Sequence, residues 1–271
     1  MNVVSEIYSI RSRGAVVNAA CQWFMEHRRL AMRIILLPNI VLVAIELFSK
    51  FMFAETGIFF AINIICSISF ISLPCLMVHV VEHKEEFGYP ERLPRPKDFK
   101  HIWWRYTWTY LLAIVVYSLA IALSFVTIFG WMIVIPIVSL AIVIFQRDDE
   151  NIFSAFTLAF KYAFKNFGTF FMTLICIPII FLSFAGAPWF IIRGTGAILT
   201  MFFTKDWYTN ISQLFNGDLV NQIALFALFT GISIASDIVY IIFVFLYGHC
   251  KESDEHPSII NRMDNFNSPT S

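Results

Sequence analysis

The chain has 271 residues and no net charge, with 58% hydrophobic, 17% aromatic and only 14% charged residues. Soluble domains usually carry about a quarter charged residues, so this composition excludes an ordinary soluble protein. The balanced charge gives no reason to expect nucleic acid as a partner. Apolar runs between the charge clusters approach the ~20 residues that cross ~30 Å of hydrocarbon. The sequence therefore predicts an all-α, polytopic membrane protein.

Six apolar runs qualify as membrane-spanning helices. Their approximate limits are 34–53, 58–81, 107–127, 129–145, 169–192 and 219–247. Short connections join the first run to the second and the third to the fourth, which favours three helical hairpins. We expect one six-span domain over residues 1–250, followed by a polar, disordered cytoplasmic tail over residues 251–271.

The basic residues predict how these spans are oriented. If the amino terminus lies in the cytoplasm, sixteen of the nineteen Lys and Arg residues fall in inside segments. The outside segments keep Lys50, Arg193 and Lys205. This asymmetry satisfies the positive-inside rule, so we expect both termini on the cytoplasmic side of a bacterial inner membrane. Whether the apolar and aromatic segment 194–216 enters the membrane stays open.

The segment between the fourth and fifth runs has the pattern of an amphipathic helix. Its polar residues recur every three or four positions, which places them on one narrow stripe of a helix. We expect Glu150–Phe167 to lie in the plane of the cytoplasmic surface, with its phenylalanines in lipid and with Lys161 and Lys165 hydrated. Aromatic and basic stretches at 21–32 and 99–110 similarly precede the first and third runs, although unrelated spans often share such cytoplasmic ends.

A recognisable pattern joins the fourth run to the fifth. The string WMIVIPIVSLAIVIF is followed by the acidic turn RDDEN and then by IFSAFTLAFKYAFKNFGTFF. This pattern resembles the YciC-like family of bacterial inner-membrane proteins and the membrane domain attached to some glycerophosphoryl diester phosphodiesterases. The matching positions are Ala159, Ala163, Lys165, Asn166 and Phe167. The resemblance implies six helices and an accessory membrane role, and it supplies no catalytic residues.

One short string matches a metalloenzyme pattern. His79, Glu82 and His83 stand in the order HxxEH, that of an inverted zinc-peptidase site, and the two histidines share a helix face. The candidates for a third ligand are Asp98, His101 and Glu86. The string ends the second run, where histidine and glutamate commonly meet lipid headgroups. We therefore expect a helix end without a metal, and a metal-dependent membrane enzyme is the alternative.

Asp237 is the most informative single residue. It lies about ten residues from the cytoplasmic end of the sixth run, near the bilayer centre, where a charge costs roughly 2.5–3.5 kcal/mol on insertion scales. No Lys or Arg is expected at that depth. We expect a buried hydrogen bond to another polar group, and a proton or ion role is the alternative. The partners considered are Asn63, Ser67, Ser69 and Ser233.

The leading functional hypothesis is a non-enzymatic inner-membrane protein with an envelope- or lipid-associated accessory role. No catalytic, cofactor-binding or metal-binding residue is assigned, and the expected partners are the lipid bilayer and anionic phospholipids at its cytoplasmic face. The second hypothesis is a small transporter that uses Asp237. Prolines inside four of the runs agree with kinked transporter helices and equally with ordinary kinks in a static bundle. These prolines are Pro38, Pro74, Pro136 and Pro178.

The predicted topology can be tested with reporter fusions. A fusion after Met263 should report a cytoplasmic position, and a fusion near Tyr208 should report the opposite side, because the basic residues are concentrated in the inside segments. Paired reporters that are active on opposite sides of the membrane provide the measurement. A reversed pattern, or a pattern that requires five or seven crossings, would contradict this topology.

Overall fold

A computed structural model of the chain describes residues 7–9, 11, 15–53, 57–87, 89, 128–148, 151–202 and 218–255. Within these ranges every regular element is a helix, which confirms the predicted all-α class. The helices are α1 Ala15–Glu26, α2 Arg28–Ala31, α3 Leu37–Phe53, α4 Gly57–Glu82, α5 Lys84–Phe87, α6 Ile128–Asp148, α7 Ile152–Lys165, α8 Phe167–Phe181, α9 Ala187–Phe202 and α10 Asp218–Glu255. Two π-helical segments join α2 to α3 and α8 to α9, at Met32–Leu36 and Leu182–Gly186.

Four helices in the described ranges are long and apolar enough to cross a membrane. They are Arg28–Lys50, Gly57–Glu82, Phe167–Thr195 and Asn221–Asp254, and they coincide with the first, second, fifth and sixth predicted runs. Helix α6 coincides with the fourth run. The third run, 107–127, lies outside the described residues, so six crossings in three hairpins remain a prediction.

Several helices extend beyond their predicted limits, two of them by eight residues or more at the end. The helix that begins at Phe167 continues through α9 to Phe202, ten residues past the expected end at 192. Helix α10 has 38 residues and continues to Glu255, so residues 251–255 are helical where a disordered tail was expected. Side chains in this last turn have partners on α6 and α7, described below, which explains why the helix persists. The remainder of the expected tail, 256–271, lies outside the described residues.

Helix α10 is the centre of the bundle. It contacts α1, α3, α4, α6, α7, α8, α9 and both π segments. Ten consecutive residues, 241–250, are buried, so this part of the helix is enclosed on every side. A helix that is apolar around its whole circumference is typical of such a core position. The last run in the sequence is therefore the element on which the others pack.

Each π segment ends two residues before a proline: Pro38 lies two residues after Leu36, and Pro188 lies two residues after Gly186. A proline lacks the N–H that would bond the carbonyl four residues earlier, and its ring clashes with that carbonyl. Those carbonyls belong to Ile34 and Phe184, inside the two segments. Widening the helix to a π turn accommodates the proline at these two positions, whereas the prolines inside α4, α6 and α8 lie in regular α-helix.

The backbone of α10 at Gly231 is in close contact with the backbone of the second π segment. A Cβ atom built on Gly231 would lie 2.6 Å from Cα of Ala185 and would also collide with the carbonyl oxygen of Phe184. This oxygen is the one that Pro188 leaves without its usual helical donor. The glycine therefore allows two helix backbones to touch where the helical hydrogen-bond ladder is interrupted.

Substituting this glycine should weaken the bundle. We expect Gly231→Ala to lower the free energy of unfolding by about 1–3 kcal/mol, because the neighbouring atoms are backbone and cannot rotate away. Gly194→Ala is the matched control, since a Cβ atom there meets nothing within 4 Å. Unfolding of both variants in mild detergent, compared with the unmodified chain, measures the effect. Equal stability of the two variants would show that this close contact is not needed.

Candidate functional site

A buried hydrogen bond joins the first turn of α3 to the middle of α10. Nδ2 of Asn39 donates to Oδ2 of Asp237 at 2.5 Å. Both side chains are buried, with 0% of Asn39 and 2% of Asp237 exposed. The predicted buried hydrogen bond of Asp237 is thus present, but its partner is a residue that the sequence argument did not consider. Asn63 and Ser69 instead bond carbonyls of their own helix, Phe59 and Ile65.

The amide of Asn39 is only half satisfied. Its Oδ1 atom is buried and has no hydrogen-bond partner within the described part of the chain. A buried polar atom left without a partner is costly, and in a native protein it calls for an explanation such as a functional role or a bound ion. Asn39 directly follows Pro38, so the proline and π turn that set the direction of α3 also set the position of this amide.

A second polar group lies one turn further along α10. Gln146 of α6 accepts two hydrogen bonds at Oε1, from the Tyr240 hydroxyl at 2.6 Å and from the Cys75 thiol at 3.6 Å. Three helices, α4, α6 and α10, thus meet at one amide oxygen. Gln146, Tyr240, Cys75 and Asn39 are uncharged groups, and Asp237 is the single acid among them. These contacts in the middle of the bundle are therefore polar and include no cation.

Charged residues meet at one end of the bundle, where α4 and α6 finish. Glu82 forms an ion pair with Arg147, whose Nε also donates to the hydroxyl of Tyr8 at 3.2 Å. Only 13% of the Glu82 side chain and 12% of the Arg147 side chain are exposed. Burial by itself would lower the pKa of Arg147, but the Glu82 carboxylate and Tyr8 outweigh this effect and raise it, so the guanidinium stays charged.

The next residue of α6 connects this end to α10. Asp148 accepts hydrogen bonds from the Tyr247 hydroxyl and from Nζ of Lys251 at 2.9 Å. Lys251 also lies 5.8 Å from the centre of the Tyr8 ring, in a cation–π contact. Two consecutive side chains of α6 therefore bind different neighbours: Arg147 holds α4, and Asp148 holds α10.

The amino-terminal segment is seated on the same end of the bundle. A Cβ atom on Gly248 would collide with the carbonyl oxygen of Ile7 and lie 2.9 Å from its carbon, so only glycine allows this approach. The backbone N–H of Arg11 donates to Nδ1 of His249 at 3.1 Å. The guanidinium of Arg11 lies 5.0 Å from the centre of the Phe245 ring. The segment is thus fixed to α10 by several independent contacts.

Helix α7 turns its alanines to the protein and three of its four phenylalanines outward, whereas Phe156 packs against the core. The buried residues of its inner face are Ala155, Ala159, Tyr162 and Ala163. Phe153, Phe160 and Phe164 are 81%, 45% and 68% exposed. Asp254, near the end of α10, accepts from Nζ of Lys161 at 2.7 Å and from Nζ of Lys165 at 2.5 Å.

Helix α7 is also separate from the spanning helix that follows it. It ends at Lys165, and Asn166 leaves the helical conformation with φ −110° and ψ 37° before α8 begins at Phe167. The chain can therefore change direction between α7 and α8, as an in-plane helix followed by a span requires. The in-plane position itself stays a prediction.

The zinc-peptidase string lies at a helix end, as expected. The rings of His79 and His83 stack with centroids 4.2 Å apart, and Glu82 is engaged by Arg147. No group of three or more His, Cys, Asp or Glu side chains able to hold a metal occurs among the described residues. Asp98 and His101, two of the suggested third ligands, lie outside the described ranges. The absence of a metal site stays a prediction.

Comparison with protein-family models, with curated proteins and with solved structures found no match.

The ion pair at the end of α4 should contribute more to stability than the exposed pair on α7. We expect Glu82→Gln to cost about 3 kcal/mol of unfolding free energy, because it leaves the charge of Arg147 buried without its counter-ion. Asp254→Asn is the control and should cost less than about 1 kcal/mol, since its lysines are 53% and 39% exposed. Denaturant unfolding in detergent measures both losses. A loss for Glu82→Gln no larger than the control would contradict this ranking.

Proposed function

We propose that the chain is a non-enzymatic, multi-pass protein of a bacterial inner membrane, with an envelope- or lipid-associated accessory role. The observation that carries this proposal is the arrangement of α7, which faces outward with large apolar side chains while its two lysines stay at the polar end of the bundle. The resemblance of the segment from Trp131 to Phe171 to the YciC-like family supports the same role.

The outer face of α7 suits the boundary between headgroups and acyl chains. Phe153, Phe160 and Phe164 are exposed and can enter the lipid. Lys161 and Lys165 donate to Asp254, but an ammonium group has three donors, so each lysine can also bind a lipid phosphate. A lysine close to an anionic surface contributes about 1 kcal/mol. Anionic phospholipids are therefore the partners we propose for this face.

The contacts at the charged end support the topology. Residues at span ends can touch only if an even number of crossings separates them in the sequence. Glu82 touches Arg147, and Asp148 touches Lys251. If α6 crosses the membrane once between Glu82 and Arg147, one more crossing is needed between these residues, and the run 107–127 is the predicted candidate for it. All four residues belong to segments that the positive-inside rule places in the cytoplasm.

A small transporter is the second candidate function. The observation that favours it is the Asn39–Asp237 hydrogen bond, which places an acid and a half-satisfied amide inside a bundle of apolar helices. Ionisable residues at such depth are expensive and are often part of substrate or ion pathways. An accessory protein has no need for this pair beyond packing, whereas a transporter would use it directly.

Lipid retention tests the leading proposal. Replacing both Lys161 and Lys165 by Gln should lower the affinity for phosphatidylglycerol about 25-fold, because each lysine contributes about 1 kcal/mol near an anionic surface. Lys50→Gln is the matched control, since it removes one positive charge at the predicted outer end. Native mass spectrometry with mixed phosphatidylglycerol and phosphatidylcholine measures the retained lipid.

A further variant separates the lipid contact from the internal ion pairs. Asp254→Asn keeps both lysines and removes their carboxylate, so it should retain at least as much anionic lipid as the unmodified chain. An unchanged lipid preference in the Lys161 and Lys165 variant, or an equal loss in Lys50→Gln, would contradict a lipid-binding role for α7.

A further inference from the structure

We infer that Asn39 and Asp237 form a proton-binding site, in which the carboxyl group of Asp237 holds its proton and pairs with the amide of Asn39. The inference goes beyond the accessory role and names the ion that the transporter candidate would bind. Three observations support the inference: the position of the pair, the groups that surround the pair, and the hydrogen bonds of Asn39.

The pair lies at the middle of two candidate spans. Asn39 is the central residue of Arg28–Lys50, and Asp237 is at the centre of Asn221–Asp254. Both side chains are buried within the bundle. Because neither side chain is more than 2% exposed, water and headgroups, which could solvate a charge near a span end, do not reach the pair.

Among the described residues, the groups recorded in contact with Asp237 provide no positive charge. Asn39 faces it from α3, and the Cys75 thiol on α4 is close enough to interact with it electrostatically. Tyr240 is one turn away on α10, and Gln146 on α6 bonds both Tyr240 and Cys75. Each of these groups is neutral in its ordinary state. An ionised Asp237 would therefore be a buried charge held by one recorded hydrogen bond from Asn39, which is an unfavourable arrangement.

The hydrogen bonds of Asn39 indicate what neutralises the carboxylate. The amide nitrogen already donates to Oδ2 of Asp237, and the amide oxygen has no donor. An ionised carboxylate has only acceptors and cannot supply one, whereas a protonated carboxyl group has one O–H donor. An amide and a carboxylic acid can form two hydrogen bonds to each other, one in each direction. Taking one proton from a hydronium ion, which leaves water, thus neutralises the acid and provides the missing donor.

A divalent metal ion fits the pair less well than a proton. The pair offers three oxygen atoms, two from Asp237 and one from Asn39. Calcium takes about six to eight oxygen ligands and magnesium about six. The neighbouring Gln146 oxygen is already engaged by Tyr240 and Cys75. A proton needs only one acceptor and one partner, which the pair supplies in full.

Protonation is therefore coupled to the contact between α3 and α10. In the acid form two hydrogen bonds cross between the helices, and in the ionised form one bond is lost and a charge appears in the same place. Because the pair is the recorded side-chain hydrogen bond between these helices, loss of the proton weakens their association. A proton-dependent movement of α3 against α10 follows from this arrangement.

Infrared spectroscopy of the full chain in lipid bilayers tests the site. A protonated carboxyl group absorbs above the amide band, at a position that a carboxylate does not share. We expect this absorption in the unmodified chain at neutral pH, its loss in Asp237→Asn and its retention in Asp254→Asn, which removes an acid held by two lysines. Equal carboxyl absorption in the unmodified chain and in Asp237→Asn would overturn the inference.

A variant of the partner gives an independent readout if Asp237→Asn fails to fold. Asn39→Leu removes the donor to the acid carbonyl, so the remaining carboxyl absorption should shift to higher frequency. An unshifted absorption would show that Asn39 does not pair with the acid. Proton uptake into liposomes tests the transporter candidate separately, since a protonated Asp237 without uptake retains the site and excludes proton transport as its use.

Discussion

The requirement that α10 satisfy its polar side chains while it is enclosed by other helices governs the rest of the structure. This helix contacts almost every other described element, and residues 241–250 are buried without interruption. Lipid and apolar side chains cannot bond to Asp237, Tyr240 or Tyr247, so the neighbouring helices must provide the partners. They do so with Asn39, Gln146 and Asp148. These bonds help to fix the relative positions of α3, α6 and α10.

The polar groups are sorted by depth along α10. The pairs in the middle are neutral or contain a single acid, whereas full ion pairs occur only where α4, α6 and α10 reach the charged end, among the described residues. This order agrees with the cost of charge, which is highest in the hydrocarbon and falls towards the headgroups. The exception is Asp237, a buried acid whose recorded partner is an amide instead of a cation.

The sequence predicted where the described helices lie along the chain better than it predicted which helices contact each other. Apolar runs located α3, α4, α8 and α10, and their composition marked Asp237 as a buried hydrogen-bonding residue. Neither Asn39 nor the Glu82–Arg147 pair was anticipated, because hydropathy along one chain does not specify which helices are adjacent. The role of Asn39 could have been suspected from its position, because it is a polar residue in an otherwise apolar stretch. The sequence contains no comparable sign of the Glu82–Arg147 pair. The sequence argument grouped Phe156 with the other phenylalanines of α7, but Phe156 packs against the core while Phe153, Phe160 and Phe164 are exposed. The contact between α7 and α6 was not anticipated either.

The two π segments determine where this chain can tolerate the deletion of a single residue. A π turn accommodates one residue more than the α-helix around it, and one residue corresponds to a rotation of about 100°. Deleting a single residue within Met32–Leu36 would let the helix close into regular α geometry while α3, with Asn39 on Asp237, stays in place. An insertion or deletion of one residue elsewhere in that helix would instead turn one half against the other. Each of these two π segments is therefore a place where a helix can lose one residue without moving its buried contacts.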